Sequence, residues 1–250
     1  MFRAANPPPY REIDHFGQGF AGICVGTETE EQGVPSPGND SVGRMEFLLS
    51  LRRRGISDAA VLRAMDEVPR ERFVDEPYAD AAYADQALPI SCGQTISQPY
   101  VVAYMTEQLA VKPSHRVLEV GTGSGYQAAV LAQIAGEVIT VERYRTLAET
   151  ARRRLESLQL SNVTVVFGDG LAGVPGHAPY DRILVTAAAE RIPKPLADQL
   201  VEGGIMVLPL GPHGDAQRIV KLTNTGAELM REDLIWVRFV PLLPGQAREL

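Results

Sequence analysis

Val117-Leu118-Glu119-Val120-Gly121-Thr122-Gly123-Ser124-Gly125-Tyr126 is a short apolar run that closes on a glycine-rich turn and passes into Gln127-Ala128-Ala129-Val130-Leu131, a stretch of helix formers. A buried strand, a glycine turn and a helix in that order form a crevice at the strand's carboxyl end, where the backbone can approach a nucleoside-like ligand closely. Downstream, apolar runs at 138–141 and 163–167 read as strands and 146–158 as a helix, giving βαβαβ with a first strand at 116–120 and a helix from Gly125. A fourth strand is expected at 182–185, a short helix at 195–201, and a fifth strand at 205–208 after a Gly203-Gly204 turn. Runs at 217–222 and 234–240 pair as an antiparallel hairpin around Asn224 and Gly226. Upstream, a helix is expected from Ser41 to a stop at Gly55, with Arg52, Arg53 and Arg54 as a solvated end. A second, capped by Ser57 or Asp58, ends at Pro69, and a third covers 99–109. Residues 75–90 read as an irregular connection. The predicted class is α/β: a Rossmann-like, mostly parallel, doubly wound sheet with a C-terminal antiparallel hairpin and a small N-terminal helical lead-in. It forms one catalytic domain over 41–250. Residues 1–40, rich in Gly, Pro, Glu and Asp without sustained apolar periodicity, are expected to be a flexible extension.

The glycines are spaced Gly-x-Gly-x-Gly, and Tyr126 stands where a dinucleotide fingerprint would want its third glycine. Glu142 follows about 20 residues on, where a carboxylate can accept hydrogen bonds from both ribose hydroxyls, a device shared by nicotinamide and S-adenosylmethionine sites. Glu119 favours the second ligand, because an ammonium and a sulfonium suit an acidic surrounding that a pyrophosphate would not. Asp169, between Gly168 and Gly170 after the third strand, offers a further carboxylate toward an adenine amino group. Each acid taken singly also reads as an ordinary strand-end cap. Three at successive strand ends around one crevice favour ligand binding.

Composition narrows the alternatives. The 250 residues are 45% hydrophobic and carry a formal charge of −7, so nucleic acid is not the expected partner. No apolar run approaches the roughly 20 residues of a membrane span, and the short segment near Phe16 is too interrupted for a signal peptide. A membrane partner is therefore not expected either. Cys24 and Cys92 are too far apart and too few for a disulfide framework or a zinc site, and the four histidines show no ligand spacing, so no metal is expected. A reducing cytoplasm fits. The oligomeric state has no signature in the sequence.

Gly93-Gln94-Thr95-Ile96-Ser97-Gln98-Pro99-Tyr100, the segment from Glu119 to Leu131 and Gly168-Asp169-Gly170 together resemble the protein-L-isoaspartate O-methyltransferase family. Ala178-Pro179-Tyr180-Asp181, Val185-Thr186-Ala187-Ala188-Ala189, Asp198-Gln199-Leu200-Val201-Glu202-Gly203-Gly204 and Val237-Arg238-Phe239-Val240-Pro241-Leu242 extend the likeness over 41–242. The resemblance implies an S-adenosylmethionine-dependent methyltransferase that leaves S-adenosylhomocysteine as product and esterifies isoaspartyl carboxylates in damaged proteins and peptides. Carried over by position, it makes Ser97 the active-site hydroxyl and puts Gln94, Glu119, Gly121, Gly123, Gly125, Glu142, Asp169 and Gly170 around the cofactor. Thr95, Ile96, Val240 and Leu242 fall to the substrate. Two features depart from the family pattern: the long leader, and Leu243 where some relatives carry a threonine near the cofactor.

A carboxylate is already a nucleophile at neutral pH, so its methylation needs orientation more than a base, and no catalytic histidine is called for. Ser97 can also be read as a helix N-cap before Pro99, Thr186 as facing the crevice or as strand packing, and Trp236 as core or hydrophobic edge. Cys92 reads as a buried or loop thiol. Competing functions are a nicotinamide oxidoreductase, a methyltransferase of another carboxylate or small molecule, and a non-catalytic cofactor-binding module.

Overall fold

The computed structural model describes residues 38–247. The expected extension lies outside them apart from its last three residues, which already belong to helix α1 (Gly38–Arg53). Helix α2 (Ala59–Glu67) starts as its sequence demands: Asp58 Oδ1 accepts from Ala60 N at 2.7 Å and Val61 N at 3.1 Å, and Pro69 follows its end. Phe47 and Leu51 of the first helix, with Val61, Leu62 and Met65 of the second, bury into one core.

The stretch expected to be irregular is more ordered than that. Short 3₁₀ turns at Arg70–Phe73 and Glu76–Ala81 lead to a hairpin of β1 (Leu88–Ile90) and β2 (Gln94–Ile96), paired antiparallel with Leu88 opposite Ile96. Cys92 and Gly93 turn the chain with φ of 60° and 64°. Three-residue strands are too short to show a period, which is why the hairpin escapes sequence reading. Helix α3 (Pro99–Leu109) follows, with proline at its first position.

The main sheet contains β3 (Arg116–Val120), β4 (Glu137–Glu142), β5 (Val163–Phe167), β6 (Tyr180–Val185), β7 (Leu200–Leu210), β8 (Gln217–Asn224) and β9 (Leu229–Val237), in the spatial order β5-β4-β3-β6-β7-β8-β9. The first five in that order run parallel and the last two antiparallel. Helices α4 (Tyr126–Ala132) and α5 (Arg145–Ser157) connect β3 to β4 and β4 to β5, and a four-residue α6 (Lys194–Ala197) precedes β7. The order reverses at β3, with β4 on one side and β6 on the other, so the ligand crevice of an open α/β sheet falls at the carboxyl end of β3.

Three boundaries differ from expectation. The helix expected at 195–201 closes at Ala197, and β7 already begins at Leu200. The strand then passes through Gly203-Gly204 because the pairing with β6 shifts there, Tyr180 facing Leu200 but Arg182 facing Ile205; the extra residues form an irregularity instead of a turn. The last strand is 229–237, not 234–240, so residues 238–243 leave the sheet toward the crevice. Trp236 is not core: it is 62% exposed on the edge strand, with the Arg218 guanidinium 4.2 Å from its ring centre. Among the described residues, no helix is long and apolar enough to cross a membrane.

Candidate active site

The crevice is an open cleft between the glycine turn, the β2–α3 junction and the chain that leaves β9. The turn is built for close approach. Gly121, at φ 99°, has no room for a side chain, since a Cβ would overlap the Thr186 hydroxyl, and a Cβ on Gly170 would stand 2.6 Å from Val120 Cγ1. Thr186 lines the cleft, as its crevice-facing reading expects, and donates to Gly121 O at 2.7 Å. Gly125, at φ 91°, starts α4 and faces Ala151, so its conformation serves helix packing and it does not line the cleft.

The acids do three different things. Glu142 ends β4 on the cleft wall, 5% exposed; Oε2 accepts from Gly123 N at 2.9 Å and Oε1 from Tyr144 N at 3.0 Å. Each oxygen keeps a lone-pair direction for a ligand hydroxyl. Burial pushes its pKa up, against the pull of those backbone donors. Glu119 is wholly buried and does not line the cleft. Its Oε2 accepts from Thr140 Oγ1 at 2.5 Å, Thr140 lies 2.6 Å from the Thr122 hydroxyl of the glycine turn, and Oε1 has no partner. Desolvation pushes this carboxyl up to about 8, the Thr140 bond opposing and Glu142's charge adding. Asp169 is half-buried beside the cleft at the end of β5, its Oδ1 accepting from Leu171 N at 2.9 Å; Gly170 lines the cleft next to it.

On the opposite wall stand Gln94, Thr95, Ile96 and Ser97. The N-cap position of α3 is Gln98, and Ser97 Oγ makes no hydrogen bond among the described residues, so the capping reading of Ser97 falls away. Gln94 Nε2 donates to Cys92 O at 3.2 Å and so braces its own hairpin turn. The third wall is residues 239–243. Ala188 N donates to Val240 O and Leu242 N to Ala188 O, both at 2.8 Å, whereas the Val240 N–H has no partner among the described residues.

Sequence reading missed the residues that brace these walls. Arg70, fully buried, donates from Nη2 to Ser97 O at 2.7 Å. Asp85 accepts from Gln98 Nε2 at 2.9 Å and Tyr100 N at 3.1 Å, and it pairs with Arg54, whose guanidinium also lies 3.5 Å from the Tyr100 ring centre. Arg54 makes these contacts from an exposed position, and Arg52 and Arg53 are exposed too, as expected of the solvated basic helix end. Gln217, 1% exposed, accepts from Phe239 N at 2.9 Å and donates to Pro212 O and Asp215 O at 3.0 and 2.7 Å. Apart from the Gln217 bonds to Pro212 and Asp215, these hydrogen bonds and the ion pair span 13 to 31 residues and leave no local periodic trace.

A glycine-turn cleft faced by an unpartnered serine invites comparison with known proteins. The model of the protein-L-isoaspartate(D-aspartate) O-methyltransferase family matches residues 43–247. The chain belongs to this family. Protein-L-isoaspartate O-methyltransferases of Bradyrhizobium sp. (strain ORS 278) and Rhodopseudomonas palustris (strain BisA53) are each 60% identical to it over 207 and 208 residues, 83% of this chain and 96% of theirs. A solved protein-L-isoaspartate O-methyltransferase superposes with a TM-score of 0.73 at 32% identity, over 79% of this chain and 65% of that one. A Plasmodium falciparum structure described under the same enzyme name, in complex with S-adenosyl-L-homocysteine, gives 0.71 at 27% identity, over 80% and 98%. Family membership makes the chain an S-adenosylmethionine-dependent methyltransferase.

Proposed function

We propose that the chain transfers a methyl group from S-adenosylmethionine to the free carboxylate of isoaspartyl residues in damaged proteins and peptides, with Ser97 orienting that carboxylate. The observation that carries this reading is the unpartnered Ser97 hydroxyl on a wall of the cleft that also holds the glycine turn and Glu142. The residues fit the cofactor: Gly121, Gly123 and Gly170 present backbone to the cleft, Glu142 has lone pairs left for ribose hydroxyls, and Asp169 stands beside Gly170 for an adenine amino group. Bound S-adenosylmethionine supplies an electrophilic methyl group on a sulfonium.

The chain's own work is then positional. Ser97 donates a hydrogen bond to one carboxylate oxygen and leaves the other aimed into the cleft, and no residue has to remove a proton. The Val240 N–H, with Thr95, Ile96 and Leu242 nearby, grips the substrate backbone. An isoaspartyl linkage adds a backbone methylene and frees an α-carboxylate, so its acid sits differently from that of a normal aspartyl residue, and a fixed grip discriminates the two. Glu119 lies under the turn and acts on the cofactor only through Thr140 and Thr122.

Transfer of labelled methyl to matched isoaspartyl and aspartyl peptides tests the assignment. Methylation of the isoaspartyl peptide alone is expected, and equal rates on both would overturn it. Residues 1–37 are proposed to be dispensable: the family match starts at residue 43, and 207 residues of this chain suffice to match 96% of a relative's length. A chain starting at Gly38 should keep peptide methylation. Cytoplasmic residence is proposed on the two-cysteine, disulfide-poor composition.

A further inference from the structure

Arg70 is 0% exposed yet meets no carboxylate among the described residues. Its Nε donates to Ala82 O and its Nη2 to Ser97 O, each at 2.7 Å, and its Cζ stands 4.6 Å from the ring centre of Tyr126, the first residue of α4 after the glycine turn. Nη1 is buried with no hydrogen-bond partner of good geometry among the described residues, the Tyr126 phenol being the polar side chain that bears on the guanidinium most. The ionisable groups facing it are the phenols of Tyr126 and Tyr83. Burial lowers its pKa, but a guanidinium starts so high that it stays charged at any working pH.

A buried, unneutralised cation is costly, and a methionine of similar volume would fill the same space at lower cost if packing were all that mattered. What a methionine cannot do is fork onto two carbonyls and leave a positive field behind Ser97. We infer that Arg70 is a positioning residue for the methyl acceptor, fixing the Ser97 peptide from beneath and setting an uncompensated positive charge behind the spot where the substrate carboxylate docks. The inference rests on the placement of that carboxylate at Ser97. It assigns a division of labour: Ser97 orients one oxygen by a hydrogen bond, while Arg70 supplies the charge that favours an ionised group there over a neutral one. Stacking on Tyr126 ties this acceptor wall to the start of the glycine-turn helix, so the same side chain sets the spacing between the two reactants' sites.

A merely structural arginine would not sense the charge of the ligand, and the test exploits that. Calorimetry in the presence of S-adenosylhomocysteine compares an isoaspartyl peptide with its α-carboxamide analogue, which has the same shape and no charge. The parent protein should favour the carboxylate. Arg70→Met should lower the carboxamide-to-carboxylate Kd ratio by roughly tenfold, the scale of an ion interaction across several ångströms of half-shielded protein. Arg70→Lys should keep most of the ratio but lose kcat, because an ammonium cannot hold both carbonyls. Arg70→Gln, neutral but still a donor, repeats the charge test should the methionine variant fail to fold. An unchanged ratio in a folded neutral variant, judged by circular dichroism and S-adenosylhomocysteine affinity, overturns the inference. Ser97→Ala separates the two levels: if it alters neither methylation nor peptide binding, the carboxylate does not dock at Ser97, whatever the Arg70 variants do.

Discussion

The Thr140 hydroxyl donates to Glu119 Oε2 across 2.5 Å in a region where both residues are 0% exposed. The Thr122 hydroxyl lies 2.6 Å from the Thr140 hydroxyl, with either able to donate, so the glycine turn is tied to a buried acid. That acid is held neutral by burial, up to about 8. The sign follows from a folded pKa raised above the 4.5 of an exposed glutamate. The folded chain keeps a proton that the unfolded chain releases, so stability falls as pH climbs from 4.5 to about 8. The slope approaches 1.4 kcal/mol per pH unit. Glu119→Gln mimics the neutral acid and removes this slope. Urea unfolding of the cofactor-free protein at pH 5 and pH 8 should show the variant gaining about 2 kcal/mol or more on the parent at the higher pH. Parallel stability curves would mean that Glu119 is ionised in the fold.

Ser97→Ala should separate activity from stability. The Ser97 hydroxyl has no partner among the described residues and is not the cap of α3, so its loss should leave the melting temperature within a degree or so. A hydrogen bond to a charged acceptor contributes about 1.5 to 3 kcal/mol, so kcat/KM for an isoaspartyl peptide should fall by about ten- to 150-fold. A drop in melting temperature with unchanged kinetics would return Ser97 to a structural role.

How much of this site was legible depends on the distance over which its residues act. The glycine turn and Glu142 sit within one βαβ unit, where strand, turn and helix each leave a local pattern, and the sheet followed from the same alternation. The β1–β2 hairpin left none, because three-residue strands show no period and its turn depends on a non-glycine residue, Cys92, at positive φ. Glu119 was assigned to the cofactor from its place at a strand end. Its burial left no trace in the sequence, because β3 is buried on both faces from Val117 onward and no alternation marks which side its carboxyl takes. Arg70 could not be seen at all: its partners are backbone carbonyls 12 and 27 residues away, a kind of contact that any arginine could make and that only the fold specifies.

Gly121→Ala should cripple the cofactor site for two separable reasons. The backbone is at φ 99°, strained for any L side chain, and the new methyl would overlap the Thr186 hydroxyl. S-adenosylmethionine affinity should fall about five- to 150-fold, since strain of about 1 to 3 kcal/mol is concentrated in the turn. Thr186→Ala added to Gly121→Ala removes the clash but not the strained φ, so it should restore part of the affinity and not all of it. Full rescue would show that sterics alone fix the turn, and no rescue would show that Thr186 is needed there for its bond to Gly121 O.

Val240→Pro isolates a single hydrogen-bond donor. Val240 precedes Pro241 and is therefore already biased to extended backbone, where a proline ring fits, and its N–H has no partner among the described residues, so the substitution removes no bond from the fold. The neighbouring supports survive: Phe239 N still donates to Gln217 Oε1, Ala188 N to Val240 O and Leu242 N to Ala188 O. If that free N–H grips the substrate backbone, its loss should raise KM for the isoaspartyl peptide about five- to tenfold, in line with one hydrogen bond of about 1 to 1.5 kcal/mol. S-adenosylhomocysteine affinity should stay within twofold of the parent. Gln217→Leu gives the complementary case, because it takes away the support of residues 239–242 and leaves the Val240 donor in place but unanchored; it should harm peptide KM and thermal stability together. Equal losses of peptide and cofactor binding in Val240→Pro, with the circular dichroism unchanged, would move this chain segment from the substrate wall to the cofactor wall.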